Sequence, residues 1–383
     1  MKAVVAIDSF KGSLETLESG AAVREAILAV YPEAEVRVCP LADGGEGTVA
    51  AVVAAKGGEL CHHRVTGPLG EEVTAEYGVI PEERLAVIEM AAAAGITLVP
   101  EERRDPLHTT TYGVGELIAH AITEKGCRRF LIGIGGSATN DGGLGMLSAL
   151  GFRFLDKDGR PVAPYGRGLG DIVRIETDGA LTALSECRFE VACDVTNPLC
   201  GDRGCSRIYG PQKGATEATV TTMDAWLSRF ARLSAEALGG ASADTPGAGA
   251  AGGLGFALLS YLGATLTSGI ELVMRVTGLE AYVKEADVVV TGEGRLDAQS
   301  SMGKAPVGVA ALAKRHQKPV LAFAGAVTEG ATLCNERGID AFFPIVRTPC
   351  TLGEAMDKRT AYQNLKNTAE QAFRLVRAFA KRM

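Results

Sequence analysis

Residues 3–7, Ala-Val-Val-Ala-Ile, form an apolar run that ends at a polar turn, Asp8-Ser9-Phe10-Lys11-Gly12-Ser13. Behind it Leu17, Ala21, Ile27 and Val30 recur at helical spacing until Pro32, which predicts strand, loop and helix in that order. The order then repeats. Residues 36–39 read as a second strand, followed by the loop Leu41-Ala42-Asp43-Gly44-Gly45-Glu46-Gly47-Thr48 and a helix through Val52 that Lys56-Gly57-Gly58 closes. Far along the chain, residues 286–290 give another apolar strand, continued by Thr291-Gly292-Glu293-Gly294-Arg295-Leu296-Asp297. Pro306 suits the first turn of a helix ending in Lys314-Arg315-His316, and strands at 320–324 and 341–346 alternate with further helical segments. Two stretches with the same alternation imply one parallel sheet covered by helices.

The middle has a different texture. Residues 66–89 read as short alternating strands with turns at Gly67-Pro68 and Gly78, followed by an alanine-rich segment at 90–94. A helix at 109–125, a strand at 129–134, a glycine-rich loop at 133–143, a long helix around Trp226 and Phe230 and a low-complexity stretch at 239–255 follow, with no constant repeat. The expected organisation is a discontinuous α/β domain made by both chain ends, residues 1–65 and 265–383, interrupted by a second α/β domain at 66–264.

Length agrees, since 383 residues at about 150 per domain give two domains. With 46% hydrophobic and 22% charged residues the composition is that of a globular chain, which excludes fibrous and disordered classes. No apolar run approaches the ~18 residues of a membrane span. The N-terminal apolar run meets Asp8 too early for a signal peptide, so the expected location is the cytoplasm. Nine cysteines without a C-x-x-C spacing fit a reducing compartment. A net charge of −7 without basic clusters argues against nucleic acid as a partner. The 48 glycines are the unusual feature, and their positions matter because glycine lets backbone approach a ligand closely.

Many sit in loops that also carry acids. Gly133-Ile134-Gly135-Gly136-Ser137-Ala138 formally satisfies G-x-G-x-x-G/A after a strand, and Asp156 follows a predicted strand about 20 residues on, as a nicotinamide-dependent oxidoreductase would need. The continuation Thr139-Asn140-Asp141-Gly142-Gly143 weighs against that reading, because it keeps the loop open and brings a carboxylate to amides meant for pyrophosphate. No G-x-x-x-x-G-K-[ST] occurs. What remains are loops at 8–13, 43–48, 133–143, 193–198, 209–214, 246–253 and 292–304. Glycine amides and basic side chains can hold phosphate oxygens while carboxylates hold Mg²⁺, a mixture suited to phosphoryl transfer. Helix capping is the competing explanation for any one of these acids.

The stretches Asp8-Ser9-Phe10-Lys11-Gly12-Ser13, Ala42-Asp43-Gly44-Gly45-Glu46-Gly47-Thr48, Gly133 through Gly143, Cys193-Asp194-Val195-Thr196-Asn197-Pro198, Gly210-Pro211-Gln212-Lys213-Gly214 and Thr291 through Asp297 with Gly303-Lys304 together resemble the bacterial glycerate kinase family, type I, over nearly the whole chain. The resemblance implies a flavodoxin-like domain with a second α/β domain, an active site in the cleft between them, and ATP-dependent phosphorylation of D-glycerate at the 2-hydroxyl, with transfer to the 3-hydroxyl as the alternative. Lys11, Arg295 and Lys304 are then the candidates for phosphate or carboxylate contacts, and Asp194 for the base or orienter of the hydroxyl. Asp43, Glu46, Glu293 and Asp297 are candidates for Mg²⁺, one or two of them touching it. Asp8, Ser9, Gly135, Gly136, Ser137, Asn140, Asn197, Gly292 and Gly294 are the expected nucleotide- and substrate-binding positions.

Overall fold

A computed structural model describes residues 1–380. The chain divides into two compact units, one of Met1–Asp43, Ala50–Lys56 and the residues from Ile270 onward, the other of Gly44–Val49 and Gly57–Gly269. In chain order the strands are β1 (Lys2–Val5), β2 (Glu35–Val38), β3 (Glu59–Thr66), β4 (Glu72–Ile80), β5 (Leu85–Glu89), β6 (Arg129–Gly133), β7 (Arg153–Leu155), β8 (Arg174–Glu176), β9 (Arg188–Ala192), β10 (Thr265–Thr267), β11 (Val288–Leu296), β12 (Val320–Val327) and β13 (Ala341–Pro344).

The first unit is built on a parallel sheet ordered β13-β12-β11-β1-β2, in which Ala3 is paired with Val288 on one side and Val36 on the other. Counted along this unit alone the order is 2-1-3-4-5, the doubly wound order of flavodoxin-like folds. Side chains alternate across a strand, and the sheet is buried on both faces. Ala3, Val5 and Ile7 join a core with Val288 and Val290 against the helices Thr16–Val30 and Lys358–Ala380. Val4, Ala6 and Val289 face the other way, against Leu279–Glu285 and Ala305–Arg315. Helix Thr16–Val30 starts where the Glu18 carboxylate accepts the Glu15 N–H at 3.1 Å and buries Ala22, Val23, Ala26 and Ile27 at helical spacing.

The second unit carries a six-stranded sheet ordered β10-β9-β6-β5-β4-β3. Its β5, β6, β9 and β10 are parallel, whereas β3, β4 and β5 form an antiparallel meander. Strand β3 pairs along its length with β4, so residues 59–66 lie in this sheet. Its core gathers Tyr77, Phe130, Phe230 and Phe256. Gly133 is required here by contact, since a Cβ on it would stand 2.1 Å from the Gly44 carbonyl oxygen. No helix among the described residues is long and apolar enough to cross a membrane.

Candidate active site

In the first sheet the strand order reverses between β1 and β11, with β2 on the far side of one and β12 on the far side of the other. Loops leaving the carboxyl ends of such a pair run in opposite directions and open a crevice. Asp8 and Ser9 follow β1, where the Asp8 N–H donates to the Gly292 carbonyl at 3.0 Å. Glu293, Gly294 and Arg295 end β11, and Lys304 precedes helix Ala305–Arg315. With Lys11, Asp43 and Asp297 these residues line one cavity of about 670 Å³. Gly292 stands behind the cavity wall, its Cα too close to the Phe323 carbonyl for any side chain.

The charges in this cavity differ in how they are held. Burial, together with the nearby Asp43 charge, pushes the Asp8 carboxyl up to about 7 against the pull of the Ser9 N–H and Lys11. Burial also raises Glu293, whose Oε1 is buried with no hydrogen-bond partner. Burial presses Asp297 upward too, but the Ser300 N–H and the Arg295 guanidinium outweigh it and hold the group below the ordinary carboxylate value. Its Oδ1 accepts from the Gln299 and Ser300 N–H groups at 2.8 and 3.1 Å, and its Oδ2 takes Arg295 Nε at 3.0 Å. Asp297 is thus a turn-forming anchor for Arg295, with its oxygens already engaged. Lys11 Nζ lies 3.6 Å from Asp43 Oδ2 with most of the lysine side chain exposed.

The carboxylates suit a cation held together with phosphates. Among the described residues no three carboxylate, thiol or imidazole groups converge into a ready-made metal cage. Mg²⁺ in phosphoryl-transfer sites needs only one or two carboxylates, the phosphates and water supplying the rest. The unpartnered Glu293 Oε1, with Asp8 and Asp43 as neighbouring charges, fits that donor set.

The other sequence candidates lie in the second unit and form separate groups. Ser137 Oγ and the Thr139 carbonyl both accept from Lys213 Nζ at 2.6 Å. Lys213 is wholly enclosed, and burial draws its ammonium down to about 8. Gly136 takes positive φ in a loop pinned by the Gly136 carbonyl accepting the Ile96 N–H. Gly135 is its partly open neighbour, 3.6 Å from Gly45 if given a Cβ. Asn140 donates to Ser206 Oγ at 2.8 Å and is buried. Asn197 is engaged by the Arg203 carbonyl and the Tyr209 hydroxyl. Asp194 is exposed, its Oδ1 accepting the Gly269 N–H at 3.0 Å. Glu46 is exposed, and its charge helps raise the half-buried Glu89, whose carboxylate accepts the Val49 N–H.

The geometry expected of a dinucleotide site is not met at the Gly133 loop. Asp141 is fully buried and accepts from the N–H groups of Thr111, Gly143 and Gly145, which takes up the amides at the start of helix Leu144–Ala149. The strand before Asp156 pairs antiparallel with β8 in a separate two-stranded sheet, and Asp156 itself closes a turn by accepting the Asp158 and Arg160 N–H groups.

Sequence reading missed two features. Lys213 stands within the Gly210–Gly214 motif without an expected role, and its polar surroundings in sequence gave no sign that it is buried. The apolar part of the cavity, formed by Ile345, Val346, Leu352 and Met356, had no chemical signature at all.

A model of the glycerate kinase family matches residues 3–377. A protein of Escherichia coli K12 named glycerate 2-kinase is 48% identical over 95% of each chain. A Bacillus subtilis 168 protein named glycerate kinase is 47% identical over 94% of each chain. A solved structure from Salmonella typhimurium LT2, whose description names glycerate kinase 2, superposes with a TM-score of 0.91 at 46% identity, covering 100% of this chain and 99% of the other.

Proposed function

Since the chain belongs to the glycerate kinase family, we propose that it transfers the γ-phosphoryl group of ATP to the 2-hydroxyl of D-glycerate, giving 2-phospho-D-glycerate and ADP. The observation that carries this reading is the cavity at the strand-order reversal, where Lys11, Arg295 and Lys304 face the carboxylates of Asp8, Asp43 and Glu293. Phosphoryl transfer asks the protein for position and charge neutralisation above all. Lys11 and Lys304 neutralise phosphate oxygens, and the start of helix Ala305–Arg315 adds the positive end of its dipole. Arg295, held by Asp297, presents its remaining N–H groups to the glycerate carboxylate.

As the substrate hydroxyl oxygen bonds to the γ-phosphorus, the bond to the β,γ-bridging oxygen breaks and ADP leaves. The hydroxyl proton needs an acceptor. Asp194 is the candidate from the sequence motif, but Asp8 is better suited, because a base works best with a pKa near the operating pH and Asp8 is buried beside the cations at about 7. Glu293 and Asp43 would hold Mg²⁺ when it arrives with ATP, and the ion would supply neutralisation of the charge developing on the phosphates; Glu46 and Asp297 lie outside that set. Gly135, Ser137 and Asn140 serve as a rigid supporting loop in the second unit. The division into two compact units supports a two-domain organisation, and nine free thiols together with ATP as donor fit the cytosol.

The identity with a protein named glycerate 2-kinase favours the 2-position. Incubation with ATP, Mg²⁺ and D-glycerate, following ADP release and the phosphorus NMR signal, tests both parts. A phosphate on C2 couples to one proton and gives a doublet; one on C3 couples to two and gives a triplet. Absence of glycerate-dependent ADP release overturns the kinase reading, and a triplet moves the product to the 3-position.

A further inference from the structure

We propose that the apolar end of the first unit's cavity is the subsite for the nucleobase of ATP; this rests on ATP being the donor at that cavity. The cavity changes character along its length. Charged residues at the ends of β1 and β11 line one part of it, and Phe10, Ile345, Val346, Leu352 and Met356 give it an apolar part. Leu352 is 75% exposed, and Val346 and Met356 are more than a third exposed, so the fold leaves these apolar side chains uncovered where they line the same space. Isolated exposed apolar residues need no explanation, but a set lining one concave site beside phosphate-binding cations does.

The chemistry of this wall selects its occupant. Thr351 is already spent on its own helix: its hydroxyl donates to Glu354 Oε2 at 2.8 Å and accepts the Glu354 N–H at 3.3 Å. The wall therefore offers apolar contact to a flat ring in place of side-chain hydrogen bonds. Glycerate, three carbons carrying polar groups throughout, gains nothing from it, whereas a purine joined to a triphosphate matches an apolar wall continuous with Lys11 and Lys304. The two ends are mechanically joined at Gly12, which follows Lys11 in a positive-φ turn and lies under Met356, whose methyl would meet an added Cβ at 2.8 Å. A cavity of about 670 Å³ is of the size that encloses a nucleotide-sized ligand.

Leu352→Ser tests this at an exposed position where folding is not at stake. The KM for ATP should rise about tenfold while kcat and the KM for glycerate hold, as expected for lost apolar contact made equally in ground and transition states. Inhibition by inorganic tripolyphosphate, which has no base, should be unchanged. An unchanged KM for ATP, or tripolyphosphate inhibition weakening in step with it, overturns the subsite. The exposed Cys350 on the same wall gives a readout independent of turnover. Its alkylation by iodoacetamide, followed by peptide mass spectrometry, should be slowed by ADP and not by tripolyphosphate. Labelling indifferent to saturating ADP overturns the proposal, as does labelling that slows only with protein concentration, which would assign the wall to a second copy of the chain. Protection by ADP in a protein that fails to phosphorylate glycerate would remove the kinase reading and leave the base subsite standing.

Discussion

Asp8 and Asp43 place two carboxylates on one cavity wall, and the charge of Asp43 adds to burial in lifting Asp8 from 3.8 to about 7. Unfolded, Asp8 would ionise near its ordinary value, so between about pH 4 and 7 the folded chain holds an extra proton and loses stability as pH rises through that window. Asp8→Asn cannot ionise. Its melting temperature relative to the wild type should therefore improve from pH 5 to pH 8; a constant difference across that range would show that the carboxyl is unperturbed.

The same substitution separates the two candidate bases. Asp8→Asn should lower kcat by the ~10²–10⁴ typical of a lost general base, and wild-type kcat should rise with pH through about 7. Asp194→Asn, exposed and engaged with the Gly269 N–H, should reduce kcat far less. Steady-state rates of both variants across pH 5–9 read this out, and the reverse ranking would return the role to Asp194.

Lys304 stands at the start of helix Ala305–Arg315 and lines the cavity. Lys304→Met should depress kcat and raise the KM for ATP together with little change in melting temperature, since its charge holds the bound phosphates and gains further as negative charge develops during transfer. Excess chelator should abolish activity and added Mg²⁺ restore it. Full activity in chelator would sever Glu293 and Asp43 from any metal role.

Lys213 is a test of stability. Lys213→Met leaves Ser137 Oγ and the Thr139 carbonyl buried without their donor, and each unmet group costs about 1–3 kcal/mol. Because burial lowers the lysine to about 8, the unfolded chain binds the extra proton between about pH 8 and 10.5, and wild-type stability contributed by this group increases with pH across that span. Denaturant unfolding at pH 7.5 and 9.5 should show a lower midpoint for the variant at both, with the wild-type gain from Lys213 absent.

Much of the first sheet was legible because its strands are short apolar runs punctuated by polar turns. Residues 3–7, 36–39, 286–290, 320–324 and 341–346 all match strands of one sheet. Strand β3 was hidden: Glu59, His62, His63 and Arg64 are polar, and its pairing with β4 is set by a partner the local pattern does not reveal. At the candidate site, acids and cations advertised themselves through the glycines beside them. Ile345, Val346 and Leu352 did not, since an apolar residue that awaits a ligand reads like one that awaits a core. Asp297 reads as a potential metal ligand by composition, and only the geometry shows it anchoring Arg295.

The pairing of Ala3 with Val288 also sets a timetable for synthesis. A ribosome making about 5–20 residues per second leaves β1 without its central neighbour for on the order of tens of seconds. During that interval β1 can find only β2, and the apolar edge meant for β11 stays open to any other extended chain. Residues 57–269, whose sheet needs nothing from the chain beyond residue 269, can fold meanwhile. A nascent chain stopped before residue 288 would therefore carry an apolar N-terminal ribbon with one edge unpaired, a ready template for aggregation.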